Sequence, residues 1–183
     1  ITNGNIKIEN INITHITSII DKLEEMGYKI IKGNGWVKLN SIKRPKSVNI
    51  STYPYPGFPT DMQAQMSIAQ LLAPGSSALT ETVFENRFMH FEELRRMSAK
   101  FTIDRQTIVM YGPTEFSGAS VKATDLRAAA ALIIAGLVAK GLTRVSELKY
   151  LDRGYYRFHE KLTELGANIE RVNIQPIESQ VKA

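Results

Sequence analysis

Two Thr-Asp pairs are the first residues of this sequence whose types and positions could do chemistry. Asp61 lies in residues 58–65 (Phe-Pro-Thr-Asp-Met-Gln-Ala-Gln), and Asp125 lies in residues 123–128 (Ala-Thr-Asp-Leu-Arg-Ala). Both lie where helical periodicity begins, and free amides and the helix dipole stabilise a carboxylate there. Each aspartate could therefore cap a helix, or accept a hydrogen bond or a proton from a substrate hydroxyl.

Three arginines lie near these aspartates or at turns, where they could bind an anion. Arg87 lies in residues 81–90 (Glu-Thr-Val-Phe-Glu-Asn-Arg-Phe-Met-His), Arg127 follows the second aspartate, and Arg153 precedes an expected helix start. Gly154 would let backbone amides approach a ligand there. Guanidinium groups and helix amino termini both bind phosphate and carboxylate. Because Arg127 opposes its own helix dipole, a salt bridge to a neighbouring carboxylate is a simpler alternative for it.

Composition limits the classes to which the chain can belong. The 183 residues are 43% hydrophobic, which suits one domain, predicted over residues 1–175 with a polar tail at 176–183. The formal net charge of +5 favours anionic partners. The absence of cysteine excludes a disulfide, a thiolate zinc site and a cysteine nucleophile within this chain.

Other common site signatures are also missing from the sequence. No histidine has a companion at metal-ligand spacing, so neither a metal nor another cofactor is expected. No glycine-rich phosphate loop or nucleophile elbow occurs, which disfavours kinase and serine hydrolase chemistry. The apolar run at residues 128–139 is too short to span a bilayer and predicts a buried helix. A cytoplasmic location without membrane partners is expected.

Hydrophobic periodicity, glycines and prolines predict the elements that must position these side chains. Strands are expected at residues 6–8, 28–31, 36–39, 48–50, 78–83, 100–103, 107–110 and 168–172. Helices are expected at residues 14–26, 61–73, 91–97, 128–139 and 155–165. Thr60 and Gln63 have the spacing of a capping box, in which each side chain bonds to the backbone of the other.

The same order of elements recurs along the chain. Asp61 and Asp125 lie 64 positions apart, and Gly75 and Gly141, which close the following helices, lie 66 apart. Such regular spacing indicates one βαβαββ supersecondary unit that is copied, with helices covering one sheet. The sequence predicts an α/β domain of three units, of which the first lacks its opening portion and the third is incomplete.

These motifs closely resemble those of one family. Residues 58–65, 81–90, 123–128 and 152–155 are similar to runs in the carboxy-terminal domain of UDP-N-acetylglucosamine enolpyruvyl transferases, and the resemblance extends from about Ile6 to Val172. It implies an inside-out α/β barrel fold of two domains, each built from three βαβαββ units. It also implies transfer of the enolpyruvyl group of phosphoenolpyruvate to the 3′-hydroxyl of UDP-N-acetylglucosamine, with phosphate release, in peptidoglycan synthesis.

The resemblance also implies roles for individual residues. Asp61 corresponds to the residue that binds the sugar hydroxyl and is a candidate base, and Val83 matches a contact to the UDP-sugar. Arg87 and Arg153 correspond to arginines that face the anionic substrates. The family's second acid and its neighbouring arginine correspond to Asp125 and Arg127. Asp61, Asp125 and Arg153 are thus the catalytic candidates.

The family's other domain is an expected partner of this chain. In the family it supplies a Lys-Asn pair, a loop whose Cys or Asp protonates the enol carbon, and most of the uridine pocket. By itself the chain is therefore expected to be inactive and to bind the sugar nucleotide weakly.

Three other functions remain open from the sequence. Within the same fold, the acceptor could be shikimate 3-phosphate, although residues 84–88 and 58–63 argue against it. A βαβ-repeat module could instead bind or process RNA, but lysine and arginine are scattered here rather than arranged in a stripe with aromatic residues, so no nucleic acid partner is expected. A catalytically silent domain that offers a partner surface is the third possibility.

Overall fold

A computed structural model of the chain describes residues 1–42 and 44–173, and the polar tail predicted at 176–183 lies outside them. The strands are β1 (Asn5–Glu9), β2 (Lys29–Gly33), β3 (Trp36–Asn40), β4 (Ile50–Ser51), β5 (Gly75–Thr80), β6 (Phe101–Asp104), β7 (Thr107–Gly112), β8 (Ser120–Lys122) and β9 (Arg144–Ser146). The helices are α1 (Thr17–Glu25), α2 (Gln63–Leu72), α3 (His90–Arg96), α4 (Leu126–Gly136), α5 (Lys149–Asp152) and α6 (Phe158–Glu164).

The strands pair in a pattern that confirms the predicted repeat. An antiparallel sheet has the order β1-β3-β2, and a second sheet has the order β4-β5-β7-β6. β1 pairs with β3 as β5 pairs with β7, with Asn5 opposite Asn40 and Gly75 opposite Gly112. The parallel pairs β4-β5 and β8-β9 are likewise equivalent. Each crossover between parallel strands carries a helix, α2 in one unit and α4 in the next, as a parallel connection requires.

The two crossover helices, α2 and α4, pack against each other in the core. Nearly every residue of α2 is buried, and α4 buries the alanines at positions 128–131 together with Leu132 and Ile133. A helix as apolar as α4 must be enclosed, and its small alanine side chains allow a close approach. This packing brings the amino-terminal ends of α2 and α4 to the same region of the molecule.

Several predicted boundaries are wrong near the end of the described chain. Residues 168–172 form no strand, because no neighbouring strand among the described residues satisfies their backbone groups. Arg171 in this segment instead binds Asp152 through two hydrogen bonds of 2.7 Å. The helix predicted from residue 155 begins at Phe158, since Arg157 has a left-handed backbone with φ of 49°.

The first predicted helix also starts differently. Residues Ile13–Ile16 form a 3-10 turn. The Asn12 side chain caps this turn by accepting a hydrogen bond from the backbone amide of Thr14. The α-helix itself then starts at Thr17. None of the helices in residues 1–42 and 44–173 combines the length and hydropathy needed to cross a bilayer.

Candidate active site

Asp61 is the centre of a cluster of ion pairs at the amino-terminal end of α2. It lies in a 3-10 turn, Thr60–Met62, that leads into this helix. Its Oδ1 accepts a hydrogen bond of 2.6 Å from Nε of Arg127 and lies 3.5 Å from Nη1 of Arg87. The Asp61 side chain is 65% exposed, against 22% for Arg87 and 30% for Arg127. The carboxylate is therefore open to an incoming ligand while the two arginines are supported by protein.

Asp125 caps α4. Its Oδ1 accepts hydrogen bonds from the backbone amides of Arg127 at 2.8 Å and Ala128 at 3.0 Å. This satisfies two of the amides that every helix leaves free at its start. The capping interpretation is thus confirmed for Asp125, and the cap also fixes the backbone from which Arg127 reaches Asp61.

The capping box predicted for Thr60 and Gln63 is wrong. No side chain caps α2, and Gln63 is buried. The Thr60 hydroxyl instead donates to Oε2 of Glu81 at 2.7 Å, and its oxygen accepts a hydrogen bond from Nη1 of Arg87 at 3.1 Å. Thr60 therefore bonds to side chains that are distant in sequence and does not cap its own helix.

Glu81 is a residue of this cluster that sequence reasoning did not select. It follows β5 directly and is only 1% exposed. Its Oε1 accepts hydrogen bonds from the Thr52 hydroxyl at 2.7 Å, the Val83 amide at 2.9 Å and the Phe84 amide at 3.2 Å. A signal was present, since Glu81 begins one of the distinctive runs, but its burial depends on residues from three separate segments.

A cavity of about 190 Å³ lies between the amino-terminal ends of α2, α3 and α4. Its wall contains two of the candidate arginines, Arg87 and Arg127, and the candidate acid Asp125. The other lining residues are Gln63, Ala64, Asn86, Met89, His90 and Ala128. Guanidinium groups beside helix starts suit a phosphate or carboxylate group of a ligand.

His90 is a buried, neutral component of this cavity wall. Burial lowers the pKa of His90 from 6.5 to about 4, while the Asp125 carboxylate and the backbone of Arg87 raise it by less. An uncharged imidazole adds no positive charge next to the arginines. His90 therefore contributes hydrogen-bonding capacity and shape to the wall.

Arg153 and Val83 lie apart from this cavity. Arg153 is exposed and follows α5 as its C-terminal cap, so the predicted position before a helix start is wrong. A Cβ on Gly154 would lie 2.9 Å from both δ-carbons of Leu126, so this glycine permits packing against α4 rather than the approach of a ligand. Val83 is half-buried, in the same loop as Arg87.

Metal binding has no structural support in the described part of the chain. No group of three or more histidine, aspartate or glutamate side chains lies close enough within residues 1–42 and 44–173 to hold an ion.

The fold is similar to those of solved enolpyruvyl transferases. The enolpyruvyl transferase NikO from Streptomyces tendae matches with a TM-score of 0.81 and 28% sequence identity, over 90% of this chain and 38% of that one. Two EPSP synthase structures from Acinetobacter baumannii match with a TM-score of 0.62 and 18% identity, over 79% of this chain and 35% or 36% of theirs. The predicted enolpyruvyl transferase fold is thereby confirmed.

The fold and the matching family model place the chain in the enolpyruvyl transferase superfamily. Within it, the chain belongs to the EPSP synthase family, because the model of EPSP synthase (3-phosphoshikimate 1-carboxyvinyltransferase) matches residues 1–162. The chain spans 38% of the length of NikO and about a third of the EPSP synthases.

Proposed function

We propose that this chain is the carboxy-terminal domain of an enzyme that transfers the enolpyruvyl group of phosphoenolpyruvate to the 3′-hydroxyl of UDP-N-acetylglucosamine. Phosphate would be released, and the product would serve peptidoglycan synthesis. The observation that carries the proposal is the exposed Asp61 carboxylate, held by Arg127 and Arg87, two arginines that line the neighbouring cavity.

In this proposal Asp61 binds and orients the acceptor hydroxyl. Its carboxylate would accept the hydroxyl hydrogen bond and take the proton when closure of the complete enzyme expels water. The hydroxyl oxygen would then bond to the substituted enol carbon while the methylene carbon takes a proton from an acid of the other domain. Loss of a proton from the resulting methyl group together with phosphate would restore the double bond. Arg87 and Arg127 would stabilise the negative charge of the phosphate and carboxylate groups during this addition.

The cavity supports a role for Asp125, which lines it, more directly than a role for Arg153, which does not. Asp125 lines the cavity but uses Oδ1 to cap α4, so it would position Arg127 and present its remaining oxygen to the substrate. Arg153 would join the substrates only if the approach of the other domain brings them to it. Val83 would contact the sugar nucleotide from the loop that also carries Arg87.

The closest rival acceptor is shikimate 3-phosphate, which is favoured by the family model that matches residues 1–162. The sugar nucleotide is supported by residues 84–88 (Phe-Glu-Asn-Arg-Phe) and 58–63 (Phe-Pro-Thr-Asp-Met-Gln), two of the runs that resemble UDP-N-acetylglucosamine enolpyruvyl transferases.

Phosphate release by the complete enzyme that contains this chain separates the two acceptors. The assay is run with phosphoenolpyruvate and either UDP-N-acetylglucosamine or shikimate 3-phosphate. We expect phosphate release when the acceptor is UDP-N-acetylglucosamine and none when it is shikimate 3-phosphate. Release with shikimate 3-phosphate alone would refute the proposed acceptor, and release with neither would refute the proposed transfer. Steeply salt-dependent RNA affinity in the inactive case would favour the RNA-binding alternative.

A further inference from the structure

We infer that Glu81 is a positioning residue of the proposed active site, which sets the orientation of Arg87 by two routes. The inference rests on the proposed function. Glu81 does not line the cavity, so it would affect the substrate only through its effect on Arg87.

The first route passes through the Thr60 hydroxyl. Oε2 of Glu81 accepts the hydrogen of this hydroxyl at 2.7 Å. A hydroxyl has one hydrogen to donate, so the oxygen of Thr60 can then only accept. It accepts from Nη1 of Arg87 at 3.1 Å, which turns the guanidinium toward Thr60.

The second route passes through the Phe84 ring. Oε1 of Glu81 accepts hydrogen bonds from the amides of Val83 and Phe84, which ties down the start of the loop between β5 and α3. The guanidinium carbon of Arg87 lies 3.9 Å from the centroid of the Phe84 ring, a cation–π contact. One buried carboxylate thus holds both groups between which Arg87 lies.

The position of Arg87 matters because the same Nη1 that bonds to Thr60 lies 3.5 Å from Oδ1 of Asp61. Asp61 in turn accepts from Arg127, whose backbone is fixed by Asp125. A continuous set of contacts therefore runs from buried Glu81 to the acid that caps α4. Buried groups of this kind orient the residues that touch a ligand and hold them within narrow limits.

The test uses variants of the complete enzyme that change the Thr60 route and leave the Phe84 route in place. In Glu81→Gln, the amide oxygen can keep the three bonds of Oε1, while the amide nitrogen replaces Oε2 and donates to Thr60. The Thr60 hydrogen then loses its acceptor and the contact to Arg87 is altered. Thr60→Val removes the hydroxyl at nearly constant volume, and Thr60→Ser retains it. Glu115→Gln is the matched control, since Glu115 is 80% exposed and, among the described residues, pairs with Lys140 alone.

We expect Glu81→Gln and Thr60→Val each to raise KM for phosphoenolpyruvate by roughly ten- to a hundredfold, the range for hydrogen bonds that involve charged groups. KM for the sugar nucleotide should change less, because Asp61 keeps its hydrogen bond from Arg127 and the Oε1 bond that holds Val83 survives. The double variant should be no worse than either single variant, since both break the same contact. Thr60→Ser and Glu115→Gln should both keep the KM values of the unaltered enzyme.

Three results would overturn the positioning role: additive losses in the double variant, equal losses in KM for both substrates, or no loss in any variant. If Glu81→Gln fails to fold, the contrast between Thr60→Val and Thr60→Ser decides alone, and equal kinetics of those two would refute the role. A crystal structure of a folded Glu81→Gln variant in which Arg87 is unmoved would also refute it. Lack of phosphate release by the unaltered enzyme refutes the proposed function instead, while this structural comparison still tests Glu81.

Discussion

The Asp61 side chain is both ion-paired and exposed to solvent. It accepts a hydrogen bond from Arg127 and lies near Arg87, yet 65% of the side chain is exposed. Exposed ion pairs contribute little to stability because solvent screens them and side-chain entropy opposes them. The pairing is therefore expected to add little to the stability of the fold.

The Asp61→Asn variant separates the contribution of Asp61 to stability from its contribution to turnover. We expect the free energy of unfolding of this chain to change by less than about 1 kcal/mol, because the pairs are solvent-exposed. Turnover of the complete enzyme should fall roughly a hundredfold or more, since an amide cannot take the hydroxyl proton. Denaturant unfolding and steady-state kinetics measure the two. Unchanged turnover would eliminate a catalytic role for Asp61.

His90 should make the stability of the chain depend on pH. Burial lowers the pKa of His90 to about 4 in the folded chain, against 6.5 for an ordinary imidazole. The unfolded chain binds the proton at higher pH, so stability is complete above about pH 6.5 and is lost as the pH falls toward about 4. The expected loss is about 3 kcal/mol.

Urea unfolding at neutral and mildly acidic pH measures this effect. His90→Gln should remove most of this pH dependence, whereas the same change at exposed His15 should leave it intact. Equal pH dependence in the His90 variant and the unaltered chain would show that other groups cause it.

At the scale of elements, the two Thr-Asp helix starts look alike in sequence and differ in structure. Asp125 caps α4 directly, whereas Asp61 lies in a 3-10 turn ahead of α2 and caps nothing. The difference frees Asp61 for contacts across the site and commits one oxygen of Asp125 to the backbone.

Alanine substitutions should reveal this difference. Asp125→Ala removes a helix cap and should destabilise the chain by about 1 kcal/mol, within the usual range of 0.5–2. Asp61→Ala is the matched comparison and should cost less, because no helix amide loses its partner. Thermal or urea unfolding measures both, and equal losses would contradict the assignment of the cap.

At the scale of the whole molecule, the described cavity is small for the proposed acceptor. Its volume of about 190 Å³ is below the roughly 300–1,000 Å³ of typical small-molecule pockets. A second domain that closes over the arginine-lined wall would supply the remaining surface, in keeping with the 38% of NikO that the chain spans.

The chain alone is therefore expected to bind UDP-N-acetylglucosamine weakly or undetectably. Calorimetry on this chain tests the expectation, with the complete enzyme under the same conditions as the positive control. Micromolar affinity of the chain alone would contradict it and would indicate that the described residues hold most of the nucleotide pocket.

The sequence by itself determined the features that depend on near neighbours along the chain. The period near 66 residues, the enclosed apolar helix α4 and the capping competence of Asp125 all follow from local pattern. They could be predicted because helix periodicity, dipole and capping act over a few residues. The strand predicted at 168–172 is absent from the structure, because a strand forms only where a neighbouring strand pairs with its backbone, and local pattern cannot predict that partner.

Only the tertiary structure decided which of the chemically capable residues meet. The packing of α2 on α4 brings Asp61 to Arg127, residues that are 66 positions apart. Packing likewise buries Glu81 beside Thr52 and Thr60. Its hydrogen bond from Thr60, which in turn accepts from Arg87, could not be read from the sequence. Hydrogen bonds and ion pairs act over a few ångströms of space, so their partners are chosen by packing, and packing depends on the whole chain.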